Sequence, residues 1–138
     1  MTRKTSRTQA CGRLEARTRL AHARKFLEVA ELTATERDIS ESGSVAAALA
    51  VLAGIAASDA ACCGALGRRS RGQDHHDAEQ LVAQIQPGGA KAAEELRRIL
   101  DLKDSAHYGL IDVSGENLKR VLRLAKSLVD FAQATLTR

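Results

Sequence analysis

Thirteen consecutive residues, Val45–Ala57 (VAAALAVLAGIAA), carry no polar side chain, and the first interruption is Ser58-Asp59. A helix without a polar face has no side to give to water, so it is central in a bundle or covered by a partner chain. At 13 residues, mostly alanine, the run is short for a membrane span, which needs about 20 clearly apolar residues. The reading is a buried helix over about Ser44–Leu66, with its alanines and Gly54 letting neighbouring backbones come close. Gly64 and Gly67 mark its C-terminal end, where Arg68 and Arg69 complement the helix dipole.

The rest of the composition agrees. Apolar residues make up 44% of the 138, but aromatics only 2%, so the core is built from Ala, Leu, Val and Ile. Such side chains suit close-packed helices better than a sheet, which favours β-branched and aromatic residues. The only proline is Pro87. The length fits one domain with one core. These features predict an all-α fold, an up-and-down bundle of about five helices.

The other four helices follow from periodicity. Ala16, Leu20, Ala23, Leu27 and Ala30 stack on one face of the first, and the polar stretch Thr33–Ser44 is read as a connection. Asp74 or Gln73 opens a short third helix, with Ala78, Leu81, Val82 and Ile85 as its stripe and Pro87-Gly88-Gly89 as its stop. The fourth spans about Ala90–His107 and buries Ala92, Leu96, Ile99 and Leu100, with Tyr108–Val113 as an irregular link. The last begins at the N-cap Ser114, with Glu116 in its first turn and Val113 set to pack on Leu118. Its stripe is Leu118, Val121, Leu122, Ala125, Leu128, Val129, Ala132 and Leu136.

Charge is uneven. Residues 1–25 hold eight basic residues against Glu15 alone, a net +7, which leaves 13 basic against 16 acidic, −3, for the rest. Residues 1–13 are read as a basic, flexible N-terminus ahead of a single domain, 14–138. A basic segment on a near-neutral body suits nucleic acid, anionic lipid or an acidic partner, or is simply solvated. Its Arg, Ser and Thr content also has the character of a transit peptide, but no apolar signal segment follows it. Three cysteines, two of them adjacent at Cys62-Cys63, read as reduced thiols in a cytoplasmic protein.

The densest chemistry is GRRSRGQDHHDAEQLV, residues 67–82. Arg68, Arg69 and Arg71 precede a helix start, where free backbone N–H groups also attract anions, so they and His75 are candidate phosphate-binding residues. Adjacent His75 and His76 point about 100° apart on a helix, so at most one serves a given site. Cys62, Cys63, His75 and His76 have the ligand types for zinc but not its usual spacing, and no metal or cofactor is expected. Asp59 needs a cation if it is buried, with Arg68 or His75 as the expected partner.

Three segments in order, VLAGIAASDAACCGAL, HHDAEQLV and ILDLKDSAHYGLIDVSGENLKRVLRLAKSLVDFAQATL, give the chain a family likeness over about residues 16–136. The last contains Lys103-x-x-Ala106-x-Tyr108 and a Ser-capped helix with Ala125-x-x-Leu128-Val129-x-x-Ala132. The pattern resembles the HEPN superfamily, small helical bundles found beside minimal nucleotidyltransferases and in toxin–antitoxin systems. The resemblance implies an often dimeric bundle that binds nucleotide or RNA, with a nucleotidyltransferase or antitoxin as partner and no membrane contact. Many members are metal-independent endoribonucleases using Arg, four to six residues, then His. Arg69 and His75 satisfy that count, as do Arg68 with His75 and Arg69 or Arg71 with His76.

At the position where the resemblance puts the catalytic pair stand Lys103 and His107, with only three residues between them, and lysine lacks the planar guanidinium fork. The expectation is therefore a binding or interaction module rather than an enzyme. The nuclease alternative would draw on Arg69, His75 and His107. The apolar second helix further leads us to expect a homodimer that covers it.

Overall fold

The computed structural model describes the backbone of residues 7–35, 39–71, 75–108 and 112–138, and their side chains except those of 39, 40, 75 and 104–108. Five helices and one small sheet make up these residues. In chain order they are β1 (Thr8–Ala10), α1 (Arg13–Ala34), α2 (Ile39–Leu66), β2 (Arg68–Ser70), α3 (His75–Ala83), α4 (Gly89–Tyr108) and α5 (Gly115–Leu136). The expected all-α bundle is what the chain forms.

Helix α2 is its axis. It packs against α1, α4, α5 and, more lightly, α3. Ala46, Ala50, Val51, Ala53, Ala56, Ala57, Ala60 and Ala61 along it are fully buried. α1 runs antiparallel to α2, because Cys11, just before α1, is joined to Cys63 in the last turn of α2. α5 runs parallel to α2. Ser44, at the start of α2, accepts from the Val113 backbone N–H at 2.9 Å, while Gly64, near its end, lies under Leu136. α4 returns antiparallel to α5, tied by Ser127 donating to Glu95 at 2.9 Å. The bundle is thus up-and-down with α2 and α5 on its short diagonal and α1 and α4 on either flank.

Small residues permit that diagonal. A Cβ on Gly54 would stand 2.7 Å from Ile99 Cδ1 and 3.3 Å from Leu128 Cδ1, so α4 and α5 close on bare backbone there. By length and composition alone, Glu41–Leu66 is apolar enough to cross a membrane, but 67% of its most apolar window is buried against the other helices. The physical motive for a covering second copy is therefore met within one chain.

Three features differ from the sequence reading. α2 begins at Ile39 rather than about Ser44, since Ser and Glu make a good exposed first turn; their polarity reports solvent, not loop. Leu124 is buried where Leu122 was expected, with Leu122 half-buried beside it. Third, residues 8–13 do not belong to a loose tail. They form β1, the disulfide and the first turn of α1.

The helix ends follow local rules. Ser114 Oγ accepts from Asn117 N–H at 3.2 Å as the α5 cap. Glu15 accepts from the Gly12 N–H at 2.7 Å, closing one half of a capping box on α1. Gly67, with φ 73°, turns the chain out of α2 as its N–H bonds to the Cys63 carbonyl at 3.2 Å.

Replacing Gly54 by leucine is expected to lower unfolding free energy by about 1–3 kcal/mol through overpacking against Ile99 and Leu128. Gly54→Ala should cost far less, because the Ile99 methyl can turn aside and alanine gains up to about 1 kcal/mol of helix propensity. Urea denaturation of the two variants measures the contrast.

Candidate anion-binding site at the strand clip

The turn at Gly67 delivers β2 to the end of the bundle, where it pairs antiparallel with β1: Thr8 faces Ser70, Gln9 faces Arg69 and Ala10 faces Arg68. Two further hydrogen bonds extend the pairing, Cys11 N–H to the Gly67 carbonyl and Arg71 N–H to the Arg7 carbonyl, each 3.0 Å. Polar and lacking apolar alternation, neither strand announces itself in the sequence. Their pairing is a tertiary effect of the disulfide beside them and of the core beneath.

Burial divides the arginines: Arg69 is half-buried, whereas Arg68 and Arg71 are exposed. Arg69 lies against the bundle, its Nη2 donating to Gln9 Oε1 at 2.9 Å and its Nη1 3.5 Å from Asp59 Oδ2. Arg19 from α1 reaches the same carboxylate oxygen at 3.1 Å. Asp59, nearly buried on α2, is thus held by two guanidiniums, neither of them the expected Arg68, while the other expected partner, His75, has its side chain outside the described residues. The triad ties α1, α2 and β2 together. Arg19 also has a fully buried Nε that finds no hydrogen-bond partner. Arg69, a sequence candidate for phosphate binding or catalysis, is engaged by Asp59 and Gln9.

Arg68 and Arg71 remain exposed, and across from Arg71 stands exposed Arg7. Among the described residues no carboxylate is ion-paired to any of the three. Like charges facing each other across a strand pair are destabilising. An anion bridging them would remove that repulsion. Arg7 was missed as a site residue because it lies more than 60 positions from its neighbour in space; its sole sequence signal is the basic excess of residues 1–25.

His75 opens α3 and His107 lies near the end of α4, both with side chains outside the described residues, as is that of Tyr108. His76 is exposed, with Nδ1 3.4 Å from Glu79 Oε2. No convergence of Arg69, His75 and His107 is described. Among the described residues no group of three His, Cys, Asp or Glu side chains is arranged for a metal. The zinc set weighed from the sequence loses Cys63, whose sulfur is bonded to Cys11.

The disulfide corrects the expectation of three reduced thiols. Cys11 and Cys63 lie 52 residues apart in sequence and 5.2 Å apart at Cα. Cys62 is the free one, buried on α2, and burial pushes its thiol up to about 12, with the nearby Asp59 charge adding to the effect and Arg68 opposing it. It is an inert core side chain at neutral pH.

Two clefts frame the alternatives. A cleft of about 320 Å³ opens beside the clip, lined by Gln9, Cys11, Glu15, Arg19, Cys63 and Arg69 among others. A larger one of about 560 Å³ lies between α4 and α5, but there Lys91 is paired with Glu95 at 4.0 Å and Lys126 with Asp130 at 3.4 Å. Arg123 on its wall is exposed and in no ion pair among the described residues, but it is a single cation against the three exposed arginines of the clip, which is the stronger candidate.

No family model matches the chain, and no curated protein is significantly similar to it.

Asp59→Ala is expected to lower stability by about 1–3 kcal/mol, between the values for exposed and buried pairs, because it strands both Arg19 and Arg69. Arg69→Ala should cost less, since Arg19 still neutralises Asp59; thermal or urea unfolding ranks the two. A thiol reagent applied to the oxidised native protein should find no reactive cysteine, and after unfolding without reductant should find Cys62 alone.

Proposed function

We propose that the chain is a non-catalytic binding module that takes the phosphates of RNA or nucleotide at the strand clip, with Arg7, Arg68 and Arg71 as the contacts. The observation that carries this reading is the unpaired set itself: Arg7 and Arg71 on opposing strand positions, Arg68 beside them, and no carboxylate partner among the described residues. Guanidinium groups suit phosphate because their planar donors match its oxygens in pairs. The basic segment and the arginine loop, two separate candidates in the sequence, become one surface on this reading.

The HEPN-like character of the bundle, carried by sequence resemblance, points the same way and suggests a nucleotidyltransferase or antitoxin as the acting partner, with the chain working as a homodimer in the cytoplasm. A ribonuclease is the less favoured reading. Arg69, the arginine of its best-spaced Arg–His pair, is occupied by Asp59 and Gln9.

Binding of a single-stranded oligouridylate, followed by fluorescence anisotropy across a salt series, tests the proposal. Replacing Arg7, Arg68 and Arg71 by alanine should weaken binding and reduce the slope of log affinity against log salt by about 2, at roughly 0.7 per phosphate contact. Arg69→Ala should change the slope little. Unaltered binding in the triple variant, or binding only to anionic vesicles, would refute the assignment.

A further inference from the structure

We propose that the Cys11–Cys63 disulfide is a redox latch on this clip: oxidised, it holds Arg7 opposite Arg71, and reduction by a dithiol lets β1 leave β2. The functional consequence rests on the phosphate-binding reading above; the latch itself rests on the geometry alone.

Cys11 directly follows β1, and Cys63 lies in the last turn of α2, the best-anchored helix of the bundle. The bond therefore fixes a three-residue strand to the core. Without it, β1 is held by the short ladder with β2, the Cys11–Gly67 and Arg71–Arg7 backbone bonds and the Arg69–Gln9 contact. An isolated two-stranded pairing is marginal in water even when longer than this one. Arg7 facing Arg71 works against it, and the chain N-terminal to a lost contact regains its freedom. Cross-linking positions 52 apart restrains a long loop, where such a bond acts most strongly.

The bond is also reachable. Cys11 is half-buried and both cysteines line the 320 Å³ cleft, whose walls include the Arg19 and Arg69 side chains. A thiolate of the reductant attacks the Cys11 sulfur, and the Cys63 sulfur leaves as thiolate and takes up a proton. The second thiol of the reductant then resolves the mixed disulfide, forming a cyclic disulfide and freeing the Cys11 thiol. Two electrons and two protons pass from reductant to protein. Neighbouring guanidiniums favour both the incoming and the leaving thiolate. Buried Cys62, its thiol held protonated, does not divert the exchange.

Release stays local. The α1 stripe from Ala16 to Ala30 is in the core, and the Gly12–Glu15 cap closes the helix independently of β1.

Hydrogen exchange on the full-length protein, oxidised, reduced with excess dithiothreitol, reoxidised, and as Cys11→Ser, tests the latch. The Cys11 and Arg71 amides, both bonded across the clip, should lose protection on reduction and in Cys11→Ser, while the Val51 and Ala53 amides of α2 keep theirs. Reoxidation should restore protection. In parallel, reduction should lower the salt slope for oligouridylate by about 0.7, the contribution of one phosphate contact. Clip amides that stay protected after reduction overturn the latch, as does loss of α2 protection, which would make the bond a staple for the whole fold. Should Cys11→Ser not fold, the reduction and reoxidation cycle decides. If the oxidised protein does not bind oligouridylate at all, the phosphate reading falls while the exchange result still judges the latch.

Discussion

Contact between helix backbones, made possible by the near absence of side-chain bulk on α2, is what the rest of the fold is arranged around. Alanine buries little area on its own, so an alanine helix is stabilised only where neighbours approach closely enough for dispersion contacts at interior density. Leucine and isoleucine from α1, α4 and α5 supply the volume that α2 lacks. Ile99 and Leu128 over Gly54, and Leu136 over Gly64, are the points of tightest fit. The division of labour also explains how a core with almost no aromatics is filled.

Placing a carboxylate on that same helix has a cost, and Asp59 turns it into organisation. A nearly buried charge requires a cation, and the two available come from different elements, Arg19 on α1 and Arg69 on β2. Because Arg69 turns inward to meet it, the β2 register is set, and with it the outward disposition of Arg68. The exposed arginines of the proposed site are in this sense positioned by a core residue that never reaches the surface.

Much of this architecture is legible in the sequence, for a physical reason. Helical stripes such as Ala16 to Ala30, and caps such as Ser114, are local patterns that survive folding unchanged. The apolar run of α2 likewise announces its own burial. What escaped were features whose causes lie far apart in the chain. Three residues of TQA and three of RRS have no strand character until the Cys11–Cys63 bond brings them together. A partner of Asp59 was sought nearby, at Arg68, whereas Arg19 lies 40 residues away on another helix. The arginine-rich stretch was read as a candidate anion site, but that Arg69 faces the bundle while its neighbour Arg68 faces solvent follows from adjacent places in a strand, and no strand was expected.

The short diagonal of the bundle has a topological corollary. Because α1 starts beside the end of α2 while α5 runs parallel to α2 and finishes there, Cys11 and Leu136 flank the same last turns of α2, at Cys63 and Gly64. A short connection from the end of α5 to the start of α1 would therefore span neighbouring points, and the chain is suited to circular permutation, with new ends opened at a link elsewhere in the bundle. For the same reason a fusion partner attached after α5 would crowd the face where the arginines gather, and one inserted at the opposite end would leave it clear.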